Sequence, residues 1–125
     1  MGIVLITGGA GFVGSHIALN LLKKDYTVII FDSFINSSKK VFSRFNKVLE
    51  AKVIRENLKL YKGDLREEGR LKEIFMKIKN KGKIIDAVIH CAGLKAVNES
   101  YLNSLNYWDV NVAGTISLIK VMNKF

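Results

Sequence analysis

The chain has 125 residues, 49% of them hydrophobic and 25% charged, with a formal net charge of +9, one cysteine and no proline. That is room for one globular domain with one core, and no apolar run approaches the eighteen or so residues a membrane span needs. Cys91 has no partner for an internal disulfide, and the N-terminus lacks the charged region of a secretory leader, so the expected compartment is the cytoplasm.

The basic excess lies in Lys23-Lys24, Lys39-Lys40, Arg44, Lys47, Lys52, Arg55, Lys59, Lys62 and the lysines between 77 and 83. These are interleaved with Asp and Glu and show no alternation with aromatics. They read as solvated helix faces, so neither a nucleic-acid nor a membrane partner is expected.

Ile3 to Thr7 is a short aliphatic, β-branched run suited to a strand buried on both faces. It breaks into T-G-G-A-G-F-V-G, in which Gly8, Gly11 and Gly14 have G-x-x-G-x-x-G spacing, a variant of the dinucleotide fingerprint. Gly8 permits the turn off the strand. Gly11 removes a Cβ where backbone meets a pyrophosphate, and Gly14 lets the next helix pack closely. That helix is predicted over Phe12 to Lys24, its N-terminal N–H groups and dipole facing the phosphates. Tyr26 to Asp32 reads as a second strand, ending in an acid 24 positions after Gly8. This is near the roughly 20-residue offset at which a carboxylate takes the adenosine ribose hydroxyls, so Asp32 favours NAD over NADP.

A helix is predicted over Ser38 to Ala51, and a third strand within Val53 to Tyr61, best placed at Leu58 to Tyr61. A helix over Arg66 to Asn80 closes at Lys81-Gly82-Lys83. Ile84 to Cys91 reads as a fourth strand. After a polar segment, Ser104 to Phe125 reads as one long helix packing through Leu105, Trp108, Val112, Leu118, Ile119, Met122 and Phe125. The alternation predicts an α/β, Rossmann-like, doubly wound parallel sheet of about four strands with helices on both faces. His16 and His90 lack metal-ligand spacing, so no metal site is expected.

These segments resemble the extended short-chain dehydrogenase/reductase family, and within it the UDP-glucose 4-epimerases. The resemblance runs through T-G-G-A-G-F-V-G-S-H, F-D-S-F-I-N-S-S, G-D-L-R, D-A-V-I-H-C-A-G-L-K-A-V-N-E-S and N-V-A-G-T. It implies that Phe12 and Val13 present N–H groups to the pyrophosphate and that Asp32 holds the ribose. Ser33, Asn36 and Ser37 would line the adenosine side, Asp64 and Leu65 would meet adenine, and Cys91, Ala92, Gly93 and Lys95 would pass along the nicotinamide half. Asn111 would be the family's helix asparagine, a structural residue. Phe12, Ser104 and Val110 depart from the residues usual there, and Val110 puts one nicotinamide-side contact in doubt.

The resemblance further implies hydride exchange between NAD and C4 of a UDP-sugar, with the Tyr of a Tyr-x-x-x-Lys pair as base. Here Tyr26, Tyr61, Tyr101 and Tyr107 are followed four residues later by Ile30, Leu65, Leu105 and Asn111. Residues 1–125 are therefore expected to be an NAD-binding domain incomplete at its C-terminal side, without a substrate domain and inactive alone. A UDP-sugar partner and a homodimer belong to the full-length family. The other reading is a non-catalytic NAD-binding module or the remnant of a truncated gene. Either way, one sheet edge and part of the last helix should be left uncovered.

Overall fold

A computed structural model describes residues 2–125. They form two units, one of residues 2–62 with 85–91, the other of 63–84 with 92–125.

The first unit is built on four parallel strands, β1 (Ile3–Thr7), β2 (Thr27–Asp32), β3 (Leu58–Lys62) and β4 (Ala87–His90), in the order β3-β2-β1-β4. This is the Rossmann-like arrangement expected. All five residues of β1 are buried, as are Val28 to Asp32 of β2. Val4, Ile6, Val28 and Ile30 join Ala18 and Leu22 of α1 (Phe12–Lys23) in one core. Tyr26 N–H bonds Leu21 O and Asp25 N–H bonds Leu22 O, which closes α1 with a left-handed residue, Asp25, at φ 63°. The register sets Thr7 beside both Phe31 and His90, so the carboxyl ends of β1, β2 and β4 lie side by side.

The helix predicted over Ser38 to Ala51 is not one helix. Lys39–Lys47 forms 3-10 turns, capped by Ser38 Oγ accepting from Lys40 N–H, and α2 follows at Ala51–Asn57. A three-residue repeat places Phe42 and Phe45 on one side, where both are buried edge to face at 5.4 Å. Ser43 Oγ donates to Lys40 O and Asn46 Nδ2 to Ser43 O, bonds that compete with an α-helical ladder. The fourth strand is shorter than predicted because Asp86 turns aside. Its N–H bonds Ile3 O while its carboxylate accepts Ile3 N–H at 2.7 Å.

The second unit holds α3 (Glu68–Lys79), α4 (Val97–Leu102), α5 (Ser104–Trp108) and α6 (Gly114–Lys124). Gly82, at φ 69°, closes α3 with Lys83 N–H on Ile78 O and Gly82 N–H on Lys79 O. The long C-terminal helix is interrupted by a π-helical turn over Asp109–Ala113, and α4 occupies ground read as an irregular polar segment. The predicted packing face of this helix needs correction. Leu118 is buried and Phe125 rests 5.9 Å from the Phe75 ring, but Leu105, Trp108, Val112, Ile119 and Met122 are exposed. The inward residues are Gly114, Leu118 and Val121. A Cβ at Gly114 would stand 3.0 Å from Leu65 Cβ, so the glycine allows close approach and sets which face of α6 turns inward.

Candidate dinucleotide site

In the first unit the site begins where β1 ends. Gly8 takes φ 67°, which an L side chain rarely adopts, and its N–H bonds Phe31 O across to β2. The chain turns back through Gly11 N–H on Gly8 O and enters α1. A Cβ on Gly14 would meet Gly8 O at 2.5 Å and Gly9 Cα at 2.8 Å, contacts no side chain can make, so the helix start is pressed onto the loop. At Gly11 a Cβ would meet only Gly8 O at 3.3 Å. Gly8 thus makes the turn off the strand and Gly14 the close packing of the helix start, as their spacing suggested. A fourth, Gly9, was not singled out by the motif. Its missing Cβ would lie 2.4 Å from Ile30 Cδ1, so the loop sits tightly over β2.

Among the described residues no side chain caps α1, and its first turn holds no acid. The N–H groups of Phe12 and Val13 open the helix at its positive end, where an anion is favoured. Both side chains are exposed, and the Phe12 ring lies tilted against His16, centroids 4.6 Å apart, while His16 Nδ1–H donates to Phe12 O at 2.7 Å. His16 is thereby a helix-surface residue.

Asp32 joins two loops. Its Oδ2 accepts Ala10 N–H at 3.0 Å, and its Oδ1 accepts Phe34 N–H at 2.8 Å and the Ser37 hydroxyl at 3.2 Å. The carboxylate is buried and hydrogen-bonded, as a buried charge must be. Phe34 takes φ 58°, and Lys39 Nζ stands 5.4 Å from its ring centre. Ser33 is half-buried and Asn36 exposed on the same loop. At the neighbouring strand end, Cys91 N–H bonds Thr7 O at 2.9 Å, and the half-buried Cys91 packs on the core. Thr7 Oγ1 and His90 Nδ1 are 2.5 Å apart.

The remaining predicted residues belong to the second unit. Asp64 is gripped by Arg66, whose Nε and NH2 donate to its two oxygens at 3.0 and 2.8 Å, and Arg66 NH1 reaches Asp109 at 2.8 Å. The hydrogen-bonded guanidinium holds the Asp64 carboxyl below the usual carboxylate range, against an opposing effect of partial burial. The Leu65 side chain is buried at Gly114, which confines any ligand contact to its main chain. Ala92 and Gly93 are half-buried and Lys95 is exposed. Ala10, Phe34 and Tyr107 carry hydrogen bonds in these loops that the motif spacing did not single out. Their contributions run through main-chain groups or a lone hydroxyl, which a residue pattern does not display.

Residues 5–125 match the family described as GDP-mannose 4,6 dehydratase. A UDP-glucose 4-epimerase of Cyamopsis tetragonoloba is 45% identical over 122 residues, 98% of this chain and 33% of that protein. The bifunctional UDP-glucose 4-epimerase and UDP-xylose 4-epimerase 1 of Pisum sativum is 44% identical over 121 residues, 97% and 33% of the two chains. The crystal structure of the Bifidobacterium longum UDP-glucose 4-epimerase, in complex with NAD+ and UDP, superposes with a TM-score of 0.83 at 40% identity, covering 98% of this chain and 33% of that one. The chain thus spans about a third of the length of the relatives it matches. With the family match running from the first strand through the last helix, the chain belongs to the GDP-mannose 4,6 dehydratase family.

Proposed function

We propose that this chain binds NAD and forms the cofactor-holding part of an NAD-dependent UDP-glucose 4-epimerase. The observation that carries the reading is the Asp32 carboxylate, fixed at the end of β2 by Ala10, Phe34 and Ser37 and next to the glycine loop. A carboxylate so placed accepts ribose hydroxyls and repels a 2′-phosphate. The uncapped start of α1 suits a pyrophosphate. Gly8, Gly11 and Gly14 shape that loop, Phe12 and Val13 supply its N–H groups, and Ser33, Asn36 and Ser37 serve the adenosine. From the second unit the resemblance assigns Asp64 and Leu65 to adenine and Ala92, Gly93 and Lys95, with Cys91 of the first unit, to the nicotinamide half.

NAD, when bound, supplies a reversible hydride acceptor. The residues of this chain bind and orient it. Turnover of a UDP-sugar also needs a Tyr–Lys acid–base pair, and no tyrosine of this sequence has Lys four residues on. UDP-sugar binding, a homodimer and a cytoplasmic setting are proposals for the whole protein. The second reading is a non-catalytic NAD-binding module or the remnant of a truncated gene.

Titration of NAD and NADP into the 125-residue chain and its Asp32→Ala variant tests the cofactor, and an epimerase assay follows with and without the C-terminal two-thirds of a relative. Saturable NAD binding, weaker for NADP and lost in Asp32→Ala, is expected, with activity only on complementation. Failure to bind NAD overturns the proposal. Binding with no activity on complementation selects the second reading.

A further inference from the structure

We propose that Tyr107 and Asn111 form a two-point clamp on the loop that carries Lys95, and are positioning residues for it. The inference rests on the reading of Lys95 as a cofactor contact. Asn111 Oδ1 accepts Leu94 N–H at 2.7 Å, and its Nδ2 donates to Leu94 O at 2.9 Å. One turn earlier on the same helical run, the Tyr107 hydroxyl accepts Ala96 N–H at 3.1 Å and donates to Ala96 O at 2.8 Å. Each side chain therefore satisfies both main-chain groups of one loop residue, as a neighbouring strand would.

The spacings agree. Residues four apart share a helix face, and residues two apart in extended chain turn their main-chain groups to the same side. Ala96 is extended, at φ −77° and ψ 112°. Lys95 is the residue between the two grips. Two further features serve the clamp. A Cβ on Gly93 would stand 3.1 Å from Asn111 Oδ1, so glycine keeps that approach open. Asn111 lies in the π-helical turn, where Thr115 Oγ1 donates to its carbonyl at 2.6 Å. Single π-turns inside α-helices are frequent at functional sites. The Glu99 carboxylate, 3.2 Å from the Tyr107 hydroxyl, is a second acceptor for its one proton. Tyr107, like the other three tyrosines, has no lysine four residues on; at that place stands Asn111, its partner in the clamp.

The test measures amide hydrogen exchange at Leu94 and Ala96, and NAD affinity, in the full 125-residue chain. Tyr107→Phe should speed exchange at Ala96, and Asn111→Leu at Leu94, each by tenfold or more. Asn111→Asp, which keeps the acceptor for Leu94 N–H, should stay slow at Leu94. Both disruptive variants should weaken NAD binding several-fold in the wild-type background and not at all in Lys95→Ala. Unchanged exchange overturns the clamp. Faster exchange with unchanged NAD affinity, or with the same loss in the Lys95→Ala background, overturns the positioning role. If Lys95→Ala itself binds NAD like the wild type, the cofactor reading of Lys95 has failed, and the exchange rates still decide the clamp.

Discussion

The two units hold their functional loops by different means. In the first, a buried carboxylate and glycines with no room for a Cβ lock the loop between β1 and α1. In the second, exposed side chains do the holding: Tyr107 and Asn111 on main-chain groups, and Arg66 between Asp64 and Asp109. A buried polar group that loses its partner carries the whole desolvation penalty, whereas water replaces most of what an exposed pair supplied. Substitutions in the first unit should therefore cost both stability and binding. Those in the second should act on loop geometry with little change in stability.

The sharpest way to break this contrast is Gly14→Val. Its side chain would be driven into the Gly8 carbonyl and Gly9 backbone. Overpacking of this kind costs about 1–3 kcal/mol, and here backbone rather than a flexible side chain must move. Urea unfolding should show a loss at the upper end of that range together with loss of NAD binding. A variant of wild-type stability would mean the helix start is not pressed on the loop. Asp32→Ala comes next. It strands the buried Ala10 N–H and should cost about 1–3 kcal/mol, with unfolding and NAD titration failing together.

Much of the first unit was legible in the sequence because its causes are local. An aliphatic run, three glycines at fixed spacing and an acid at the right offset each act within a few residues. The 3-10 turns were not legible because Phe42 and Phe45 fit a 3.6-residue stripe almost as well as a three-residue one, and the Ser43 and Asn46 back-bonds decide between them. The last helix shows the limit more plainly. Its apolar residues occur nearly all round, and the inward face is chosen at Gly114, a residue with no hydrophobic signal at all. In the candidate site, the spacing singled out Asp32 as an acid at the end of β2 but not as the tie to Ala10.

The exposed residues Leu105, Trp108, Val112, Ile116 and Ile119 make an apolar stripe on that helical run. Surface of this kind promotes association. Replacing Trp108 and Ile119 by Lys should raise the solubility of the isolated chain while changing its unfolding free energy by no more than about 0.5 kcal/mol per site. Light scattering beside urea unfolding reads both. A large loss of stability would mean these side chains are packed after all. Asp25→Gly should act in the opposite sense. Asp25 closes α1 at φ 63°, and relief of the left-handed strain should stabilise the first unit by about 1 kcal/mol, seen as a higher urea midpoint with an unchanged slope.

A small effect is expected at Asp64, and its pH dependence distinguishes an exposed grip from a buried one. Arg66 holds the folded-state pKa of Asp64 below its ordinary value of 3.8. The stabilisation is therefore fully present above that value and lost as pH falls through the lower, folded-state one. The side chains of Arg66 and Asp64 are 38% and 23% exposed, so solvent screening keeps the contribution below about 1 kcal/mol. Between pH 7 and pH 3 the wild type should lose slightly more stability than Asp64→Asn, and added salt should shrink the difference, since screening acts on exposed pairs first. A difference of several kcal/mol that resisted salt would place Asp64 with Asp32, as a carboxylate locked in the fold, and would erase the contrast between the two units.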